Sequence, residues 1–298
     1  MRIAIILNGI ARKKKQFISH LLPILKRNWS VDLFETHSEN DAVRYANQIR
    51  KEKYDLVLAA GGDGTLNQVL NGLLASDHEF ETLPVLGVIP IGSGNDFARS
   101  VHIKDNVDQI VKLIQDFKHK KIDLGKIHFL TSKKNHFFIN EADVGMGPEV
   151  VKKVSVGSKS LGAAVAYYKA ILSTFKNYKP IIVHASSPQW QWHGKIRTLA
   201  VANGKFFGHG LCIAPNALVD DGISSIFIVE DASIFDFIRF SGKLKKGKKI
   251  SFQKVHYLET TSIKLDADSA CTIEADGELV GQLPVEIELL PQKIKFLC

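Results

Sequence analysis

Over about the first 120 residues, short continuous apolar runs alternate with longer stretches in which apolar side chains recur every three or four positions. The runs at 2–7 and 56–60 suit buried strands of a parallel sheet, 56–60 on both faces, and 31–35 and 85–89 read as further short strands. The longer stretches read as helices: one carrying Phe17, Leu21, Leu22 and Leu25, one over 41–53 with Val43, Ala46 and Ile49 inside, and one over 106–117. A further helix starts near Phe97. In the helix after Gly64, residues Leu66, Val69, Leu70, Leu73 and Leu74 form one apolar stripe, with Thr65 as its expected cap. Such alternation implies a doubly wound parallel sheet, an architecture that binds ligands outside the carboxyl ends of its strands.

From Ile122 onward the pattern shortens. Segments at 126–130, 136–140, 181–185, 189–192, 198–203, 224–229, 255–265, 271–274 and 285–290 are rich in β-branched and aromatic residues. They predict antiparallel strands and a β-sandwich-like second domain, with helices inserted near 148–176 and 233–244. The chain is therefore expected to be α/β, with a nucleotide-binding domain at 1–122 and a β-rich domain at 123–290. The pattern leaves open whether 291–298 rejoins the first domain.

Candidate chemistry collects at the predicted strand ends. The stretch 54–76, YDLVLAAGGDGTLNQVLNGLLAS, reads as strand, glycine loop and helix. Gly61, Gly62 and Gly64 can take positive φ and have no Cβ to hold a ligand away. The N-terminus of the following helix offers unpaired N–H groups to an anion such as phosphate. Asp63 would repel a polyphosphate unless a cation such as magnesium lies between them or a donor is shared. Alternatively the loop is a tight turn in which Asp63 favours the helix start. A second loop of the same type, Pro90-Ile91-Gly92-Ser93-Gly94-Asn95-Asp96, follows the fourth strand, and Asn8 and Thr36 also fall at strand ends.

Composition narrows the class. The 298 residues, 45% hydrophobic and 23% charged, suffice for two globular domains. The formal charge of +8 favours acidic partners: nucleotides, nucleic acid or an anionic membrane. Three widely spaced cysteines, Cys212, Cys271 and Cys298, argue against a disulfide framework or a zinc site and fit a reducing cytosol. No apolar run approaches the 18 or so residues that span a bilayer, so any membrane contact is expected to be peripheral. Lys243, Lys245, Lys246, Lys248 and Lys249 follow the amphipathic stretch 234–238 and could be a solvated face or an electrostatic membrane dock. Trp190, Trp192, Phe206 and Phe207 read as core or cleft lining, and nothing resembles an RNA-binding module.

Two glycine loops in one crevice argue for nucleotide phosphate better than either alone. GGDGTLNQVLNG at 61–72 and PIGSGNDFAR at 90–99 resemble the two signature loops of the diacylglycerol kinase catalytic-domain superfamily, most closely its soluble bacterial lipid kinases. The resemblance covers essentially the whole chain. Asp123 in KIDLGKI, Asn203-Gly204, Ala214-Pro215-Asn216-Ala217, Asp220-Asp221-Gly222 and Asp276-Gly277-Glu278 follow in the family's order.

It implies an ATP- and magnesium-dependent kinase acting on a lipid hydroxyl, with its active site in the cleft between the domains. Gly61, Gly62, Asp63, Gly64, Thr65, Leu66 and Asn67 would line the ATP phosphates with Asn8, Thr36, Gly92, Ser93, Asn95 and Asp96. Asp63, Asp96 and Asp123 would arrange the catalytic magnesium. Glu278 would be the general base, with Asp276 beside it. A second, structural magnesium would take the Asp221 carboxylate and carbonyl oxygens near Leu218 and Ile223. The implied setting is cytoplasmic, at an anionic membrane that carries the lipid acceptor, without nucleic acid.

Alternatives remain at this point. Asp276-Gly277 and Asp221-Gly222 also read as plain turns, and Asp123 as a strand-edge residue. NAD kinase shares a GGDG loop and a two-domain plan, although the second loop and the late Asp-Gly-Glu match lipid kinase. A catalytically idle nucleotide- or membrane-binding protein is the third reading. His209 interrupts a common family glycine triplet, and Asn8-Gly9 stands where Asn-Pro is usual. The acceptor lipid and the oligomeric state, a homodimer included, are left open.

Overall fold

Four of the apolar runs form parallel strands, β1 (Arg2–Leu7), β2 (Ser30–Glu35), β3 (Leu56–Gly61) and β4 (Val85–Pro90), in the order β2-β1-β3-β4. The computed structural model describes residues 1–75, 80–156 and 163–298. It contains two units, Met1–Asp123 with Pro291–Cys298, and Leu124–Leu290.

In the first unit, α1 (Lys14–Gln16), a π-helical turn at Phe17–Leu21 and α2 (Leu22–Asn28) run on from one another. Then come α3 (Asp41–Arg50), α4 (Asp63–Leu73), α5 (Asp96–Ser100) and α6 (Val107–Asp116). Phe17, Leu21, Leu22 and Leu25 pack with Ile3, Ile5 and Leu58 in one buried cluster, so the expected helix face is the one that faces the sheet. Asn106 caps α6 by accepting the Gln109 N–H, and Phe117 ends it in the left-handed region. Ser76, the last residue of the glycine-loop stretch, lies outside the described residues.

The second unit begins within β5 (His119–Phe129), which pairs with β6 (Asn135–Phe138). There follow β7 (Glu141–Gly145), α7 (Met146–Val156), α8 (Ala163–Asn177), β8 (Ile181–Ser186), β9 (Gln191–Ala202), β10 (Phe206–Phe207), β11 (Leu211–Cys212) and β12 (Ser224–Glu230). Next are α9 (Ile234–Lys245), β13 (Val255–Thr260), β14 (Ser262–Ala267), β15 (Thr272–Ala275), β16 (Glu278–Gln282) and β17 (Val285–Leu297). The pairings of β7, β8, β9, β12, β14 and β15 with one another and with β13, β16 and the start of β17 are antiparallel. Phe138, Val144, Ile196, Leu199, Ile228, Ile273 and Ile287 are buried together between them.

The strand pattern departs from expectation in three places. Segments 189–192 and 198–203 belong to one long strand, β9, because Lys195 and Arg197 continue its alternation of exposed and buried positions. Segment 255–265 is two strands with different partners: β13 pairs with β12, and β14 with β8 and β17. The sequence pattern missed β7 and β16, and the two-residue strands β10 and β11. The middle of the 148–176 helical stretch, 157–162, lies outside the described residues.

The end of β17 belongs to the first unit. Phe296 lies opposite Leu86 of β4 in parallel register, and its ring meets Phe97 edge-on at 5.2 Å. The wholly buried Asp123 accepts the Gln292 N–H at 2.8 Å. Among the described residues, no helix is long and apolar enough to cross a membrane.

Candidate active site

The first glycine loop is tighter than the sequence suggested. Helix α4 starts at Asp63 with Gly62 as its extended N-cap residue, so Thr65 is inside the first turn and is not the cap. Its hydroxyl accepts from Asn8 Nδ2 at 3.0 Å. The positive-φ glycines of the chain do not include Gly61, Gly62 or Gly64. Glycine is needed here for close approach. A Cβ on Gly61 would lie 2.3 Å from Thr65 Oγ1, and one on Gly92 would lie 2.4 Å from the Gly62 Cα. The two loops are thus packed backbone to backbone, joined by the Gly92 N–H to the Gly61 carbonyl at 2.9 Å.

Asp63 completes that junction. Its Oδ2 accepts from the Asp96 N–H at 3.0 Å and its Oδ1 from the Phe97 N–H at 2.9 Å. The carboxylate therefore caps α5, giving partners to N–H groups that have none within their own helix. This gives the acid a role in the fold whatever binds beside it. Asn95, left-handed at φ 56°, donates to the carbonyls of Pro90 and Gly92 and shapes the second loop from within. Thr36 accepts from the Gly9 N–H at 3.1 Å, which draws the ends of β1 and β2 together. Gly62, Gly64 and Gly92 are partly accessible and Ser93 is exposed. Leu66 and Asn67 face inward, and the Leu66 N–H is already bonded to the Gly62 carbonyl.

In the second unit, Asp276 (φ 50°) and Gly277 (φ 87°) form the two-residue connection from β15 to β16. Positive φ at both positions is what a type I′ hairpin turn requires. The motif is thus a turn, and it sets Glu278 opposite Ala275 at the first position of β16. The Asp276 carboxylate is turned inward and buried, accepting the N–H groups of Ile139, Asn140 and Glu141 at 2.9, 2.9 and 3.0 Å. Its contacts are those of an anchor that ties the Glu278 turn to the start of β7. Asp221 accepts the Ile223 N–H at 2.9 Å across Gly222 (φ 73°), an Asx-type turn, with Leu218 and Ile223 both exposed.

Beneath the Glu278 turn lies a group of acids that the sequence pattern did not single out. Glu141, Asp143 and Glu274 are all buried, and Asp143 and Glu274 are directly opposite one another on β7 and β15. Burial raises the pKa of all three, and the neighbouring carboxylates add repulsion for Glu141 and Glu274. Asp143 is pushed up to about 7, with burial opposed by hydrogen bonds from Thr198 and Glu274. The Thr198 hydroxyl donates to Asp143 Oδ2 at 2.7 Å, and Glu274 Oε2 accepts the Gly277 N–H at 2.8 Å. The visible trace in the sequence is the spacing: Glu141 and Asp143 alternate with Ala142 and Val144 at the strand period.

Thr198 also lines an apolar cavity of about 780 Å³, its mouth included. The walls come from α7 (Met146, Val150), α8 (Tyr167, Ile171, Phe175), β12 (Phe227, Val229) and α9 (Phe237, Phe240, Leu244). No single segment of sequence could reveal it, because its lining is drawn from helices and strands far apart in the chain. Within the second unit a series of neighbours therefore runs from the cavity wall to the turn: Thr198 donates to Asp143, Asp143 lies opposite Glu274, and Glu274 accepts from Gly277. No group of three or more His, Cys, Asp or Glu among the described residues is arranged to hold a metal by itself.

Known proteins match this chain along its whole length. The model described as diacylglycerol kinase catalytic domain matches residues 2–127, and that described as YegS C-terminal NAD kinase beta sandwich-like domain matches 142–298. A protein of Xanthomonas campestris pv. campestris (strain 8004) named Probable lipid kinase YegS-like is 30% identical, over 98% of this chain and 94% of its own. The Diacylglycerol kinase of Bacillus subtilis (strain 168) is 28% identical, over 96% of this chain and 93% of its own. A crystal structure from Bacillus anthracis str. Sterne, described provisionally as a diacylglycerol kinase, superposes with a TM-score of 0.79 at 25% identity, covering 99% of this chain and 96% of that one. With paired glycine loops on a parallel sheet, an Asp-Gly-Glu hairpin on a β-sandwich-like unit and these relatives, the chain belongs to the diacylglycerol kinase catalytic-domain superfamily of lipid-kinase-like proteins.

Proposed function

We propose that the protein is an ATP- and magnesium-dependent kinase that phosphorylates a hydroxyl of diacylglycerol or a related lipid. The observation that carries the lipid part of this reading is the apolar cavity in the unit that also holds Glu278. Its aliphatic and aromatic walls suit an acyl chain better than the polar ribose of a dinucleotide.

The glycine loops suit the nucleotide phosphates, because Gly62, Gly64 and Gly92 bring bare backbone to the start of α4. The donor chemistry of Asp63, Asp96 and Asp123 fits magnesium. All are hard oxygen ligands, and an ion that keeps water and phosphate oxygens needs only one or two carboxylates from the chain. Bound there, the metal would neutralise charge on the transferring phosphoryl group. Asp221, with the carbonyls near Leu218 and Ile223, would hold the structural ion. Glu278 takes the proton from the acceptor hydroxyl as its oxygen forms the new bond to the γ-phosphorus and the bond to ADP breaks.

General base catalysis is worth about 10² to 10⁴-fold, so Glu278→Gln is expected to lose that much turnover while ATP binding is retained. The assay is transfer of labelled γ-phosphate to diacylglycerol, phosphatidylglycerol and sphingosine in mixed micelles, with NAD as a further acceptor. Transfer to NAD alone would convert the reading to NAD kinase. ATP binding without transfer to any acceptor would leave an idle nucleotide-binding protein.

A further inference from the structure

We infer that α9 is an interfacial helix, inserted edge-on into an anionic lipid surface, and that the acyl chain reaches the cavity along it. This rests on the lipid-kinase reading for its purpose, though not for its test. The helix is set firmly at its start by a capping box, in which Ser233 and Asp236 exchange hydrogen bonds. That arrangement uses the one acid of the helix at its N-terminus.

The two sides of α9 then differ. Phe237, Phe240 and Leu244 line the cavity. On the side away from it Phe235 is 78% and Ile238 58% exposed, an i, i+3 pair on the first turn. A solvated face explains lysines, but it does not explain a nearly bare phenylalanine beside an exposed isoleucine. The cationic residues follow in order: Arg239, Lys243 and Lys245 on the helix, then Lys246, Lys248 and Lys249 just past its end. An apolar first turn with bordering ammonium groups on long stems matches what an anionic monolayer presents, hydrocarbon below and phosphate at its level. Because one helix carries both the exposed pair and part of the cavity wall, a chain leaving the bilayer beside Phe235 would need to cross only the width of α9.

The test is flotation of the full chain with vesicles of phosphatidylcholine containing phosphatidylglycerol, and with phosphatidylcholine alone. Binding is expected to the anionic vesicles and to weaken with salt. At roughly five-fold per lysine, Lys243→Glu, Lys246→Glu and Lys248→Glu together are expected to weaken it by at least about 100-fold. Phe235→Ser with Ile238→Ser is expected to weaken it at least about ten-fold, with ATP binding retained as evidence of folding. Binding unchanged by the double serine variant would overturn insertion. Equal retention by a polynucleotide, with the serine variant neutral, would reassign the lysines to nucleic acid. Flotation requires no phosphoryl transfer, so lost transfer with intact binding counts against the kinase reading, and intact transfer in micelles without binding counts against this one.

Discussion

Asp276→Asn is expected to lower the thermal midpoint by on the order of 10 °C. The substitution keeps the shape of the side chain, and Asn tolerates the left-handed backbone as Asp does, so the turn itself is not strained. What changes is the acceptor count. One oxygen can still serve Asn140 and Glu141, but the new amide faces the Ile139 N–H, donor against donor, in a buried site. Losing a charge-assisted bond and stranding a buried N–H costs about 2 to 4 kcal/mol together, and a domain of this size shifts by about 2 to 4 °C for each kcal/mol. Glu278→Gln is the control: the same hairpin, lost turnover, little change in midpoint. Thermal unfolding followed by circular dichroism separates the two. An Asp276→Asn protein with an unchanged midpoint would show that the three N–H bonds are dispensable.

The buried acids predict a second large effect, with the opposite sign from ordinary surface carboxylates. Glu141, Asp143 and Glu274 hold protons in the folded chain that they release when unfolded near neutral pH. Their pKa values are raised on folding, so the stability they permit is full below the ordinary carboxyl range and is lost as pH rises. For Asp143 that window ends at about 7, and for the two glutamates burial likewise moves it up from the ordinary carboxyl range. His136 acts oppositely in acid, since burial lowers it to about 4 and protonation of the unfolded chain costs stability below pH 6.5. The clean window therefore runs from pH 6.5 to about 8, below the range in which the buried thiols Cys212 and Cys271, raised by burial, add the same sign.

There, urea unfolding is expected to show stability falling with pH at up to about 1.4 kcal/mol per unit for each retained proton. Glu141→Gln with Asp143→Asn, which fix the neutral form, are expected to flatten the slope and to be the more stable protein at about pH 8. A parent protein with a flat profile from pH 6.5 to about 8 would mean that the three acids are not protonated in the fold.

What the sequence made legible follows from the range of the interactions. Strands β1 to β4, the glycine loops and the Asp-Gly hairpin depend on neighbours within a few residues, and these were readable. From sequence Asp63 looks awkwardly placed for phosphate, because its partners at Asp96 and Phe97 come from another loop. Glu141 and Asp143 do not stand out in the sequence, because an acid at a buried strand position contradicts the usual pattern. Their complete burial, which only the packed fold shows, is why they hold protons, and strand pairing brings Glu274 opposite Asp143. Thr65 reads as a cap, but the helix begins at Asp63 with Gly62 as its N-cap residue, against which Gly92 packs too closely to carry a Cβ.

The path of β17 bears on how the chain can be divided. The N-terminal family match ends at residue 127, yet a fragment cut there would leave β4 with an unpaired edge and Phe97 without the Phe296 ring. Such an exposed, fully apolar edge invites self-association. A peptide of 291–298 supplied in trans, or a permuted chain that fuses it ahead of Met1, should restore a monodisperse fragment. Inheritance of the first unit as an independent module would thus require both of its separated segments, Met1–Asp123 and Pro291–Cys298.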